Sequence, residues 1–208
     1  MIKICQLIIL LLWGHALRAQ ELIIEYYPDQ SVKAKGAKQG ETKVGEWIYF
    51  YPNGSKNAIE HYTDGKLDGY VTYFYPNGVV QGNENWEQGT LGDSAQYFFQ
   101  NGKPEKKGLY QNGRYFGIWR FFHENGKLFR QVNYQNGLPQ GNTRIYSDTG
   151  RLIQEGEYSN GKENNEWKFF DEEGNLAYSG FFADGKKTGT WYKYDKKGNR
   201  KPWRYSPD

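Results

Sequence analysis

Three series of glycines run through this chain at a spacing of 24 residues. Gly54, Gly78, Gly102, Gly126, Gly150, Gly174 and Gly198 form the first, and Gly65, Gly89, Gly113, Gly137, Gly161 and Gly185 the second. The third, Gly45, Gly69, Gly117, Gly141 and Gly189, carries Asp93 and Asn165 in its two remaining positions. No series slips by a residue. A strict internal period is the mark of a repeat architecture, in which each short unit packs on its neighbours and the chain becomes one elongated array. A 24-residue unit is too short for a propeller blade, which needs about 40 residues or more.

The unit reads as two strands and two turns. In Gly45–Gly69, GEWIYFYPNG opens with strand-favouring residues and closes on Pro52-Asn53-Gly54. Pro fixes φ, and Asn and Gly accept positive φ, so this stretch predicts a hairpin turn. SKNAIEHY returns as a second strand, and TDGKLDG centres a second turn on Asp64-Gly65. No sustained apolar period of 3.6 residues appears. The expected fold is all-β: an elongated array of antiparallel β-hairpins in a single twisted sheet. About sixteen strands at ~4.8 Å each would run roughly 75 Å.

Aromatic residues keep the same period. Tyr26, Phe50, Phe74, Phe98, Phe122, Tyr146, Phe170 and Tyr194 hold one position of the first strand; Tyr62, Trp86, Tyr110, Tyr134, Tyr158 and Phe182 hold one of the second. Each ring is expected to stack on its equivalents in adjacent hairpins. Gly108, Gly156 and Gly180, two residues before the second ladder, would make room for a neighbouring ring. IIEYYPDQ from Ile23 aligns with WIYFYPNG, so residues 20–44 read as a degenerate first unit and cap, 45–200 as the repeats, and 201–208 as the other cap.

The first nineteen residues stand outside the repeat. Lys3, the apolar run Leu7–Trp13 and Leu17-Arg18-Ala19 form a secretory leader pattern with cleavage expected after Ala19. The run falls short of the ~20 residues that span a bilayer, so no transmembrane segment is expected after cleavage. Cys5 precedes the run, which argues against a lipid anchor. The expected location is the periplasm or the cell exterior. Removing Lys3 and Arg18 leaves 25 basic against 24 acidic residues, which gives no electrostatic case for nucleic acid or anionic lipid. Cys5 is the one cysteine and lies in the leader, so no disulfide staples the remainder. With Leu, Ile and Val scarce, the core must come from the 18 Tyr, 12 Phe and the Trp residues.

Nothing resembling a catalytic or metal site emerges. His61 and His123 occupy different positions of the repeat, and a metal needs three or four converging ligands. Asp64-Gly65 and Asp184-Gly185 resemble calcium turns, but Gln88, Asn112, Asn136 and Asn160 stand in the same position, so turn chemistry explains them. No enzyme and no cofactor is expected; a hydrolase would need a carboxylate pair that the repeat does not reveal.

One position departs from the pattern. It holds Tyr27, Tyr51, Tyr75 and Phe99, then His123, Ser147, Asp171 and Asp195. By strand alternation it shares a face with Trp47, Tyr49 and Tyr73. An exposed aromatic stripe would mark a binding surface in the first half of the chain. A protein partner, a second copy of the chain forming a homodimer, or plain core could cover it.

The pattern in Tyr110–Gly126, YQNGRYFGIWRFFHENG, with its recurrence in phase, resembles the MORN repeat, and more closely the bacterial MORN-variant repeat, over about residues 38–200. That resemblance implies a row of antiparallel hairpins, no catalytic residues, and a binding or scaffolding role. Copies of the variant are labelled antitoxins, which implies an antitoxin or immunity-type binder of a toxin, and lipid binding is proposed for the wider family. The W-x-x-aromatic-x-x-x-G pattern is also similar to choline-binding and cell-wall-binding repeats, whose units are nearer 20 residues; that likeness implies a glycan ligand. The reading that results is a secreted or periplasmic interaction scaffold, with an envelope or extracellular glycan-binding module as the alternative.

Overall fold

The computed structural model describes residues 20–204. The expected leader 1–19 and its cleavage point, and the end of the expected C-terminal cap, lie outside the described residues. Seventeen strands follow one another as a meander, from Glu21–Tyr26 and Val32–Gln39 to Lys186–Tyr194 and Arg200–Trp203. Apart from the two pieces Lys66–Leu67 and Gly69–Phe74, which both pair with Lys56–Thr63, each pairs antiparallel with its sequence neighbours in one open sheet. The expected sixteen become seventeen because one strand is interrupted at Asp68, leaving Lys66–Leu67 and Gly69–Phe74. No helix among the described residues is long and apolar enough to cross a membrane. The segment read as a degenerate cap is a regular hairpin: Gln30 takes φ of 68° where later units have Gly54 and its equivalents.

Both turn types form as their residues dictate. Asp64 and Gly65 take φ of 51° and 78°, as a two-residue primed turn requires, and Gln88, Asn112, Asn136, Asn160 and Asp184 repeat this within a few degrees. Each following glycine then donates its N–H to the hairpin before it, as Gly65 does to Lys43 O at 3.0 Å and Gly113 to Leu91 O at 2.8 Å. In the longer turn Gly54 is left-handed (81°), whereas Asn53 is not. Asn53 contributes through its side chain instead: Oδ1 accepts from the Ser55 N–H at 3.0 Å.

The third glycine series marks the corner of each hairpin. Gly45, Gly69, Asp93, Gly117, Gly141, Asn165 and Gly189 all take positive φ. The preceding strand pairs carry bulges beside these corners, between Lys35 and Ala37, Phe116 and Arg120, and Glu155 and Glu157. Each bulge sets a step of four residues on one strand against two on its partner and bends the strand. Tryptophan fills the bend. Trp47 and Trp119 are fully buried and Trp167 and Trp191 nearly so. Their indoles satisfy carbonyls next to the bulge: Trp47 Nε1 donates to Ala37 O at 3.0 Å, Trp119 to Leu109 O at 2.8 Å and Trp167 to Glu157 O at 3.2 Å.

Each of these tryptophans lies over a glycine eleven residues earlier. A Cβ on Gly36, Gly108, Gly156 or Gly180 would lie 2.2–2.4 Å from the central ring atoms of Trp47, Trp119, Trp167 or Trp191. Where the tryptophan is replaced, so is the glycine: Val71 follows Glu60, Ala95 follows Glu84 and Thr143 follows Val132. Glu84, only 9% exposed, fills the space over Ala95 and accepts from Tyr97 Oη at 2.5 Å and Trp86 Nε1 at 3.0 Å. The ring contacts join this tryptophan position to the second ladder, as in Trp119 with Tyr110 (5.1 Å, edge-on) and Trp191 with Phe182 (5.2 Å, edge-on). Stacking within a ladder is not what holds the rings.

Candidate binding surface

The seven residues expected to form one aromatic stripe divide into two sets. Trp47, Tyr49 and Tyr73 belong to the inner face. Trp47 is fully buried, and Lys43 sits over its ring at 4.4 Å and donates to Tyr49 Oη at 2.6 Å. Burial first, then the hydrogen bond with Tyr62, raises the Tyr49 pKa well above the ordinary phenol value. Burial and the nearby Glu84 and Glu60 carboxylates do the same at Tyr73. The strand ends at Phe50, so Tyr51 and its equivalents leave the face that alternation assigned them and enter the turn.

Tyr27, Tyr51 and Tyr75 are half-buried, and their hydroxyls are engaged. Each donates to a carbonyl one hairpin further on: Tyr27 to Phe50 O (2.9 Å), Tyr51 to Phe74 O (2.8 Å) and Tyr75 to Phe98 O (2.9 Å). Phe99 has no hydroxyl, and His123 restores the link through Nε2 to Tyr146 O at 2.9 Å. Asn77, Asn101 and Asn125 add parallel bonds to Gln100, Glu124 and Asp148 carbonyls. In the last units the same position works within its own turn: Asp171 accepts from Asn175 N at 2.8 Å and Asp195 from Asn199 N at 2.9 Å. The change from tyrosine to aspartate therefore exchanges a bracket between hairpins for a cap within one. Tyr51→Phe keeps the ring and removes the bond, so a urea midpoint should show a loss of about 1 kcal/mol; an unchanged midpoint would mean the bracket contributes nothing.

Exposed apolar side chains lie on the opposite face. Tyr70 is 68% exposed, Ile118 46% and Leu109 41%. Together with Gln96, Lys107 and Arg120 they line a groove of about 530 Å³ spanning five successive strands. None of these was singled out from sequence. A signal was present: the Tyr70 and Ile118 position holds Glu46, Ser94, Asn142 and Glu166 in other units, and the Leu109 position holds His61, Asn85, Asn133 and Glu157, although Phe181 also stands there. Apolar residues in positions that are mostly polar are departures of the same kind as the tyrosine-to-aspartate series. Among the described residues no group of three or more His, Cys, Asp or Glu could hold a metal ion.

No curated protein matches this chain in sequence. Crystal structures of TcdB2-TccC3, alone and with Cdc42, are similar at 12% identity and TM-score 0.25, covering 88% of this chain and 12% of theirs. TcdB2-TccC3 without its hypervariable C-terminal region gives 11%, 0.20, 85% and 13%. This chain thus spans about an eighth of those chains, and TM-scores so low carry no common fold. The model of the MORN repeat variant matches at residues 43–66, 67–88, 94–112, 117–136 and 163–184, a little over half of the chain, in phase with the hairpins described above. The chain is a member of the MORN-repeat-variant family.

Proposed function

We propose that this protein is a secreted or periplasmic, non-enzymatic scaffold that binds another protein through the groove face of its sheet. MORN repeats are a non-enzymatic class of modules that generally bind proteins or membranes. The observation that carries the finer reading is the groove: Tyr70, Leu109 and Ile118 stay exposed while nearly every tryptophan and tyrosine of the other face serves packing. Aromatic and aliphatic side chains held open on a rigid sheet are what interface centres are made of. Export rests on the leader pattern of residues 1–19. A photo-reactive amino acid placed at Tyr70 or Ile118, in cells making the protein, should yield a defined protein adduct that Leu109→Asp abolishes. The same probe at Tyr27 or Phe99 should yield none. Adducts from the turn positions alone, or adducts to a second copy of this chain, would overturn the reading.

A further inference from the structure

The groove contains an arrangement that the fold does not require. Register sets Arg120 directly opposite Lys107 on neighbouring strands. Like charges facing each other across a ladder destabilise the pair. Neither has an acidic partner within ion-pair distance among the described residues. Arg120 donates from Nε to Gln131 Oε1 at 3.1 Å, which leaves the outer fork of its guanidinium for another acceptor. Further along the same row the cations are neutralised: Glu155 lies 3.6 Å from Arg144 and 3.8 Å from Lys168. Charge is thus balanced in one half of the face and left open in the other, where Tyr70, Leu109 and Ile118 are also exposed.

We propose that the groove takes an extended peptide segment of a partner protein in which an Asp or Glu is flanked by apolar side chains. The carboxylate bridges Lys107 and Arg120, relieving their repulsion, and the flanking side chains cover Leu109, Ile118 and the Tyr70 ring. Two aliphatic side chains and one ring suit a peptide better than a sugar, whose faces stack on rings. This inference rests on the groove reading above and adds the chemistry of the occupant.

The test is selection of random linear peptides on the purified protein. Enriched sequences should carry an acidic residue between apolar ones, and binding should weaken as salt is raised. Their affinity should fall about tenfold in Lys107→Gln/Arg120→Gln, as loss of a charge pair at an interface does. It should be unchanged in Lys196→Gln/Lys197→Gln, which removes the same charge elsewhere. Circular dichroism establishes that both variants fold. Enriched peptides lacking acidic residues, or equal losses in both variants, would overturn the proposal. If no peptide enriches while Tyr70 and Ile118 still cross-link a protein, the acidic-peptide occupant falls and the groove reading stands. Retention of polygalacturonate, lost in Lys107→Gln/Arg120→Gln and unmatched by any peptide, would give the groove to an acidic glycan instead.

Discussion

Gly108→Ala is expected to destabilise the protein by about 3 kcal/mol, at the upper end of what overpacking one core position costs. The backbone is not the reason. Gly108 is an extended strand residue without positive φ, where alanine would ordinarily help slightly by restricting the unfolded chain. The obstacle is Trp119: the new methyl would lie 2.4 Å from Cδ2 and 2.5 Å from Cε2. These are central ring atoms of a side chain with no exposed surface, stacked on Tyr115 at 3.9 Å and tied by Nε1 to Leu109 O, so the ring has no free direction of retreat. Trp119→Ala alone should cost about 4 kcal/mol by opening a cavity. The informative measurement is the double variant. The native chain already pairs Glu84 with Ala95 and Val132 with Thr143, a side chain where there is no tryptophan above it. With Trp119→Ala in place, Gly108→Ala should therefore cost little or be mildly stabilising. Equal costs of Gly108→Ala in both backgrounds, from urea midpoints, would show that the glycine is needed for some other reason.

The period, the strand-turn-strand unit and both turns are legible in the sequence because glycine and asparagine report backbone conformation directly. Asp93 and Asn165 complete the third glycine series in space as well as in sequence, each with positive φ. The need for Gly108, Gly156 and Gly180 to lack a side chain is also readable. Which ring fills the space is not, since that depends on a bulge that shifts register by two residues and sets tryptophan eleven positions away over the gap. The same step explains the misplaced stripe. Alternation assumes a straight strand continuing through Tyr51, but the strand ends at Phe50, and the useful part of Tyr51 is its hydroxyl rather than its ring. A scale that scores tyrosine as aromatic and aspartate as charged sees a core position turning acidic. Hydrogen-bond chemistry sees a donor to the next hairpin replaced by an acceptor within the turn. The groove is legible only in part: the apolar departures at Tyr70, Leu109 and Ile118 can be read, but their gathering on one face across five strands depends on the register of those strands.

The second large effect is alkaline. Stability should be nearly level up to pH 9 and then fall steeply above pH 10, the range in which unfolded-chain phenols titrate. Burial, with hydrogen bonding to Glu60, pushes Tyr62 up to about 12. Burial also raises Tyr49, Tyr73, Tyr97 and Tyr110, with Glu84 beside Tyr97 adding to the shift there. The unfolded chain titrates these phenols near 10. A folded-state pKa above the unfolded one means that the stabilising contribution is complete below pH 10. It is lost as pH rises, because the unfolded chain releases protons that the folded chain keeps. Each such tyrosine removes at most about 1.4 kcal/mol per pH unit, and less here because the rings are only half-buried. Several acting together still make the transition cooperative, and the part of the phenolate absorbance that comes from the inner-face tyrosines should rise in one step with loss of the circular dichroism signal. Tyr97→Phe would remove one of these groups and make the fall shallower, at the cost of leaving Glu84 short of a donor. Acid should do far less: Asp195, held low mainly by Asn199, is fully solvent-exposed. Titration of every phenol near pH 10 in a chain that stays folded would show that the inner-face tyrosines are open to water and that the packed aromatic corner is not the core of the array.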